Sequence, residues 1–128
     1  MRHFSLSTIA LLASLAVGNA FAAEPAASPL VGRWVLCEDP DGSPKDSLEF
    51  FAEGYGFNRR PNAPMSPFLY KEAAGQLLLM VNARGNLLNI YLGVPEDHSR
   101  LTLKSERTGN EASYVRAGEE QERSCTIK

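Results

Sequence analysis

The side chains with most chemistry to offer in this 128-residue sequence are two cysteines, one histidine beyond the N-terminal segment, and an adjacent arginine pair. His98 stands in Glu96-Asp97-His98-Ser99, where carboxylate, imidazole and hydroxyl are consecutive. Consecutive loop residues point in different directions, and the members of a catalytic triad come from separate segments. His98 therefore reads as a solvated loop residue rather than a general base. Asp39-Pro40-Asp41-Gly42 resembles the opening of a calcium loop, but its glycine is fourth rather than sixth and no glutamate follows at position 12. No G-x-S-x-G, P-loop or H-E-x-x-H pattern occurs. The expectation is a protein that is not an enzyme and uses no cofactor or metal.

Cys37 and Cys125 lie 88 positions apart, without a C-x-x-C spacing, and a single partnering histidine is too few for a zinc site. In an oxidising compartment they would form a structural disulfide. Closing a loop of that length contributes up to about 4–5 kcal/mol in the chain-entropy picture.

The arginine pair lies in Asn58-Arg59-Arg60-Pro61-Asn62-Ala63-Pro64-Met65-Ser66-Pro67. Prolines at 61, 64 and 67 recur every third residue, which favours an extended polyproline II stretch. As a connector, this is a stiff linker with solvated arginines. As a recognition loop, it would lose little entropy on binding. Arg59 and Arg60 would then meet a carboxylate or other anion, and Met65 would add apolar contact.

The N-terminus decides the compartment. Arg2 and His3 precede a 14-residue, largely apolar run from Phe4 to Val17, and Ala20-Phe21-Ala22 matches a cleavage site. Residues 1–22 thus read as a signal peptide cut after Ala22, too short in its apolar part to span a bilayer. The expected location is periplasmic or secreted, without stable membrane insertion. Without Arg2 the chain has 12 basic and 15 acidic side chains, and a mildly acidic domain does not suit nucleic acid. Residues 23–29 read as a flexible Ala/Pro-rich lead, and 30–128 as one domain.

That domain must be built from short strands. Turn residues cut it into nine apolar segments: Val31–Glu38, Ser47–Ala52, Tyr55–Arg59, Phe68–Lys71, Leu77–Val81, Leu87–Leu92, Leu101–Lys104, Ala112–Arg116 and Cys125–Ile127. Most alternate with period two: Trp34 and Leu36 oppose Arg33 and Val35, and Leu88, Ile90 and Leu92 oppose Asn89 and Tyr91. Gly118–Arg123 is too short and polar for more than a turn or one helical loop. The predicted fold is all-β, an antiparallel up-and-down meander closing into a small barrel of about eight strands. Trp34, Leu36, Phe50, Phe57, Leu79, Ile90 and Leu103 are its expected interior. If the ends meet at the cysteines, first and last strands are antiparallel. One of the nine segments is then not a barrel strand, and the irregular stretch Phe57–Tyr70 is the expected place.

Leu30-Val31-Gly32-Arg33-Trp34 resembles the G-x-W opening of lipocalins, with Gly32 and Trp34 matching that motif. Leu48–Gly54 resembles the strand–acidic–glycine hairpin of bacterial lipocalin-like proteins, and Tyr114-Val115-Arg116 resembles their closing strand. The likeness runs through residues 30–117 as a strand rhythm. It implies that Trp34 packs at the closed end of the barrel with Arg116 over it, a cation–π contact of about 0.5–2 kcal/mol. It also implies a binding module for a small apolar or amphipathic ligand. The alternative is an inhibitor or immunity-type factor that docks its loops into an envelope protein.

Overall fold

The computed structural model describes residues 28–125. The predicted signal peptide, residues 23–27 and the segment Thr126-Ile127 lie outside the described residues. Eight antiparallel strands close into a barrel in sequence order: β1 (Gly32–Glu38), β2 (Ser47–Phe50), β3 (Tyr55–Arg59), β4 (Ser66–Ala73), β5 (Gln76–Ala83), β6 (Asn86–Gly93), β7 (Leu101–Lys104) and β8 (Glu111–Arg116). One helical turn, α1 (Glu120–Arg123), follows. Ser28 and Pro29, at the end of the predicted lead, enter the turn that precedes β1. The Ser28 carbonyl accepts from Val31 N at 3.0 Å and its hydroxyl accepts from Leu30 N at 3.2 Å, which turns the chain into β1.

The turns follow from backbone chemistry. Ala74-Gly75 and Arg84-Gly85 join β4 to β5 and β5 to β6, with both residues of each pair at positive φ (51°, 78° and 53°, 83°). That is the conformation a two-residue hairpin needs to match the strand twist, and glycine adopts it without a Cβ penalty. The loop between β3 and β4 corrects the polyproline expectation. Asn58 and Arg59 belong to β3, Ser66 and Pro67 belong to β4, and Asn62 sits at φ 58°. An antiparallel pair must reverse direction here, and a straight polyproline stretch cannot do so. The expected irregular strand is likewise misplaced, because β3 and β4 are both full barrel strands. The surplus segment is the last one: Cys125 follows α1 outside the sheet.

The barrel closes where β8 pairs with β1, with Trp34 opposite Arg116 and Leu36 opposite Tyr114. The register shifts between Leu36 and Glu38, so Cys37 occupies a bulge. Its sulfur bonds Cys125, with Cα atoms 4.8 Å apart. The bond lies on the outer face, where Val35, Cys37, Val115 and Cys125 form a small buried cluster beside Ala117. It thus holds the C-terminal turn against the outside of the β1–β8 seam.

One half of the interior is solid. Leu30, Trp34, Phe50, Leu77, Leu92 and Leu101 are all under 2% exposed. Trp34 Nε1 donates to the Leu30 carbonyl at 2.9 Å. Phe57, expected inside, faces out and packs against Phe51 and Tyr55, with ring centroids 6.0 and 6.1 Å away. The inward positions of β3 are Gly56 and Asn58, both buried. Gly56 lies between Phe50 and Phe68, whose rings meet edge-on at 5.2 Å across it.

A Cβ at Gly56 would fall on the Glu49 carbonyl oxygen and the Phe68 ring, neither of which can move aside cheaply. Gly56→Ala should therefore destabilise the fold by about 1–3 kcal/mol, read from the urea midpoint. An unchanged midpoint would mean that the rings repack freely. Cys37→Ser should cost about 2–4 kcal/mol by the same measurement, because the bond spans 88 positions. A loss under about 1 kcal/mol would mean that the turn and sheet hold the seam without it.

Candidate binding site at the barrel mouth

The opposite end of the barrel is open. The connections β1–β2, β3–β4 and β7–β8 surround a cavity of about 570 Å³. Inward positions of four strands make its floor: Leu36, Ile90, Leu103 and Ala112. They are what remains of the core once the closed half is filled. Leu88 shares the inward face with Ile90 and Leu92 but is 49% exposed at the open end.

Tyr114 forms part of the wall and is 6% exposed. Its hydroxyl donates to Asp46, 2.9 Å from Oδ1 and 3.2 Å from Oδ2. Burial first, and the Asp46 charge second, push the phenol far above its ordinary value of 10.0. Tyr114 is thus a neutral donor across the whole physiological range. Asn58 Nδ2 donates to the same carboxylate at 2.8 Å, which joins β3, the β1–β2 connection and β8.

A second carboxylate ties the rim. Asp41 accepts from Thr108 Oγ1 at 2.7 Å and from Asn110 Nδ2 at 2.8 Å, clasping the β1–β2 connection to the β7–β8 connection. These bonds, that of Asn110 foremost, hold its carboxyl below the ordinary 3.8. Asp39 turns inward on its own loop, accepting from Asp41 N at 3.0 Å and Ser43 N at 2.9 Å. Both aspartates of the superficial calcium motif thus serve loop structure. Among the described residues, no group of three or more metal-ligating side chains comes together.

The other predicted residues divide between the mouth and the rest of the barrel. Arg60 lines the cavity with Pro61 and Ala63. Its neighbour Arg59 points outward to Glu49, Nη2 to Oε2 3.6 Å, so the two guanidiniums do not act together. Met65 is 51% exposed on the same connection. At the closed end, Arg116 lies over the Trp34 ring, 4.5 Å from its centroid, and Nη1 donates to Val31 O at 3.2 Å. His98 is not a solvated loop residue: Nε2 lies 2.6 Å from Glu72 Oε1 and Nδ1 3.0 Å from Glu96 O. Its side-chain partner is 26 positions away and is neither of the adjacent residues, Asp97 and Ser99. Sequence reasoning also missed Asp46, Asn58 and Tyr114 as a set. Period two could have placed Tyr114 inside, but nothing local links it to a residue 68 positions earlier.

No protein-family model matches the sequence, and no curated protein or solved structure gives a significant match.

The lowered carboxyl of Asp41 fixes the sign of a pH effect. The clasp is fully present above the ordinary value of 3.8 and is lost as pH falls through the lowered folded value. Acidification from about pH 6 to about pH 2 should therefore shift the Asn110 side-chain amide resonances towards free-amide positions. Asp41→Asn should produce the same shift at neutral pH. Unmoved Asn110 resonances in that variant would show that the clasp does not depend on the carboxylate.

Proposed function

We propose that this protein is an exported binding module whose open barrel end holds a small apolar or amphipathic molecule. The carrying observation is the half-filled interior: a packed closed half beneath a cavity of about 570 Å³ floored by aliphatic side chains. Pockets that hold small ligands have volumes of about 300–1,000 Å³ and mostly apolar linings. The rim is held in shape by Asp41 and Asp46, which favours a preformed site over one assembled on binding. The disulfide supports export, since such bonds persist in oxidising compartments. In this reading the protein binds rather than catalyses, and the Tyr114 hydroxyl keeps its proton and donates a hydrogen bond to Asp46. The resemblance to lipocalin-like proteins points the same way. A second reading, docking of the loops into an envelope protein, draws on Met65, which stands 51% exposed on the same connection as Arg60.

Ala112 is the smallest side chain of the floor, so Ala112→Trp should fill the cup. The purified protein should raise the fluorescence of N-phenyl-1-naphthylamine, and the variant should lose at least about tenfold in affinity while keeping its circular dichroism spectrum. Equal binding by both would remove the cup as the site. Capture of an envelope protein by both, weakened only by Arg60→Ala with Met65→Ala, would favour the docking reading instead.

A further inference from the structure

Six charged side chains line the mouth, and they are in opposite states. Asp39, Asp41 and Asp46 each accept at least two hydrogen bonds from protein donors: backbone amides, Thr108 and Asn110, and Tyr114 and Asn58 respectively. Arg60, Lys104 and Arg107 line the same cavity, and among the described residues none has a carboxylate within 4.0 Å. The contrast with the other arginines is direct. Arg59 has Glu49, and Arg116 has the Trp34 face and a carbonyl.

A hydrogen-bonded carboxylate keeps its charge, but part of its accepting capacity is taken up within the protein and its position is fixed. An unpaired guanidinium keeps a planar fork of donors that matches an oxyanion. Formal charge at the mouth is balanced, so attraction depends on which set still has bonding capacity, and that is the cations. Beneath them the floor is aliphatic, and Leu88 and Met65 add exposed apolar surface at the open end. An uncharged apolar guest would use the floor and leave the forks to water. A cationic guest would meet three like charges whose countercharges are already engaged.

On the reading of the mouth as a ligand cup, we infer that its ligand is a single-chain amphiphile with an anionic head, the head held by Arg60 and Arg107 and the tail lying on Leu36, Ile90, Leu103 and Ala112. The head chemistry is that of a carboxylate or sulfonate oxyanion. Lys104 adds a third positive charge without a directional fork.

Titration calorimetry with decanoate, decanesulfonate, decanol and decylammonium, each below its aggregation threshold, tests this on the purified protein. The two anions should bind at least about tenfold tighter than decanol, and decylammonium more weakly than decanol. Arg60→Gln with Arg107→Gln should bring the anions down to the decanol affinity and leave decanol unchanged. Both replaced side chains are loop cations without a carboxylate within 4.0 Å, Arg107 acting on Asp41 only from beyond that distance, and an unchanged melting temperature checks that the fold is intact. Equal affinity for decanoate and decanol, or an unaffected double variant, overturns the head-group assignment and leaves the cup reading standing. Failure of all four ligands, together with failure of the naphthylamine probe, overturns the cup reading itself. Adsorption to phosphatidylglycerol vesicles without decanoate binding would overturn the inference in favour of a membrane surface.

Discussion

A sheet of eight short strands has two unpaired edges, and β1 and β8 remove both by pairing with each other. The backbone bonds of this seam join residues more than 70 positions apart, Trp34 and Arg116 among them, so neither strand can find its partner through a local turn. Three side-chain devices converge on the seam. Arg116 lies over Trp34 at the closed end, Cys37 shares the outer face with Val35, and the disulfide holds the C-terminal turn over Val35 and Val115. Both faces of the seam are therefore buried, whereas the outer faces of β4 to β6 leave Leu69, Met80 and Tyr91 at 42–55% exposure. The bond stabilises by restricting the open chain, and its place on the outside leaves the interior free to be packed or hollow.

Closure also sets how much of the interior can be filled. Inward positions alternate along each strand, so the core is a stack of shallow layers. The aromatic side chains of β1, β2 and β4 lie towards one end, with Phe50 packed edge-on against Phe68 and Tyr70. Gly56 makes room for them. Towards the other end Tyr114 is the one aromatic ring in the lining, its hydroxyl taken by Asp46, and the remaining inward positions hold Leu36, Ile90, Leu103 and Ala112. The cup is the volume that these smaller residues leave. Its shape follows from the clustering of Trp34, Phe50, Phe68 and Tyr70 away from the mouth, where Tyr114 stands without another aromatic ring.

Strand positions, hairpin turns and the cysteine pair were legible in the sequence because each has a local signal: alternation, Gly dipeptides, and the absence of any other thiol. The faces of β3 were not. Tyr55-Gly56-Phe57-Asn58-Arg59 puts its rings at 55 and 57, and period two alone would bury them. They face out because Gly56 must admit the rings of Phe50 and Phe68, and that demand comes from neighbouring strands. The partners of His98, Tyr114 and Asp41 were illegible for a related reason. Glu72, Asp46 and Asn110 lie 26 to 69 positions away, and only the closed barrel brings them close. Proline spacing misled in the β3–β4 connection because a regular repeat describes a straight segment, while the topology required a reversal.

The polar chemistry of the mouth follows from the same geometry. Each long connection at the open end must bond to a neighbour or collapse into the cup, since a loop above a cavity has no core beneath it. Aspartate suits this role because its short side chain accepts several donors at once. Asp41 can therefore clasp two loops, and Asp46 can tie β3 to β8. Acidic residues used in this way do not neutralise the cations beside them by contact. A rim braced by carboxylates that take their bonds from neutral donors leaves its guanidinium donors unspent, and an oxyanion is the partner that satisfies a guanidinium fork. The bracing of the loops and the chemistry proposed for a ligand are thus two results of the same choice of side chains.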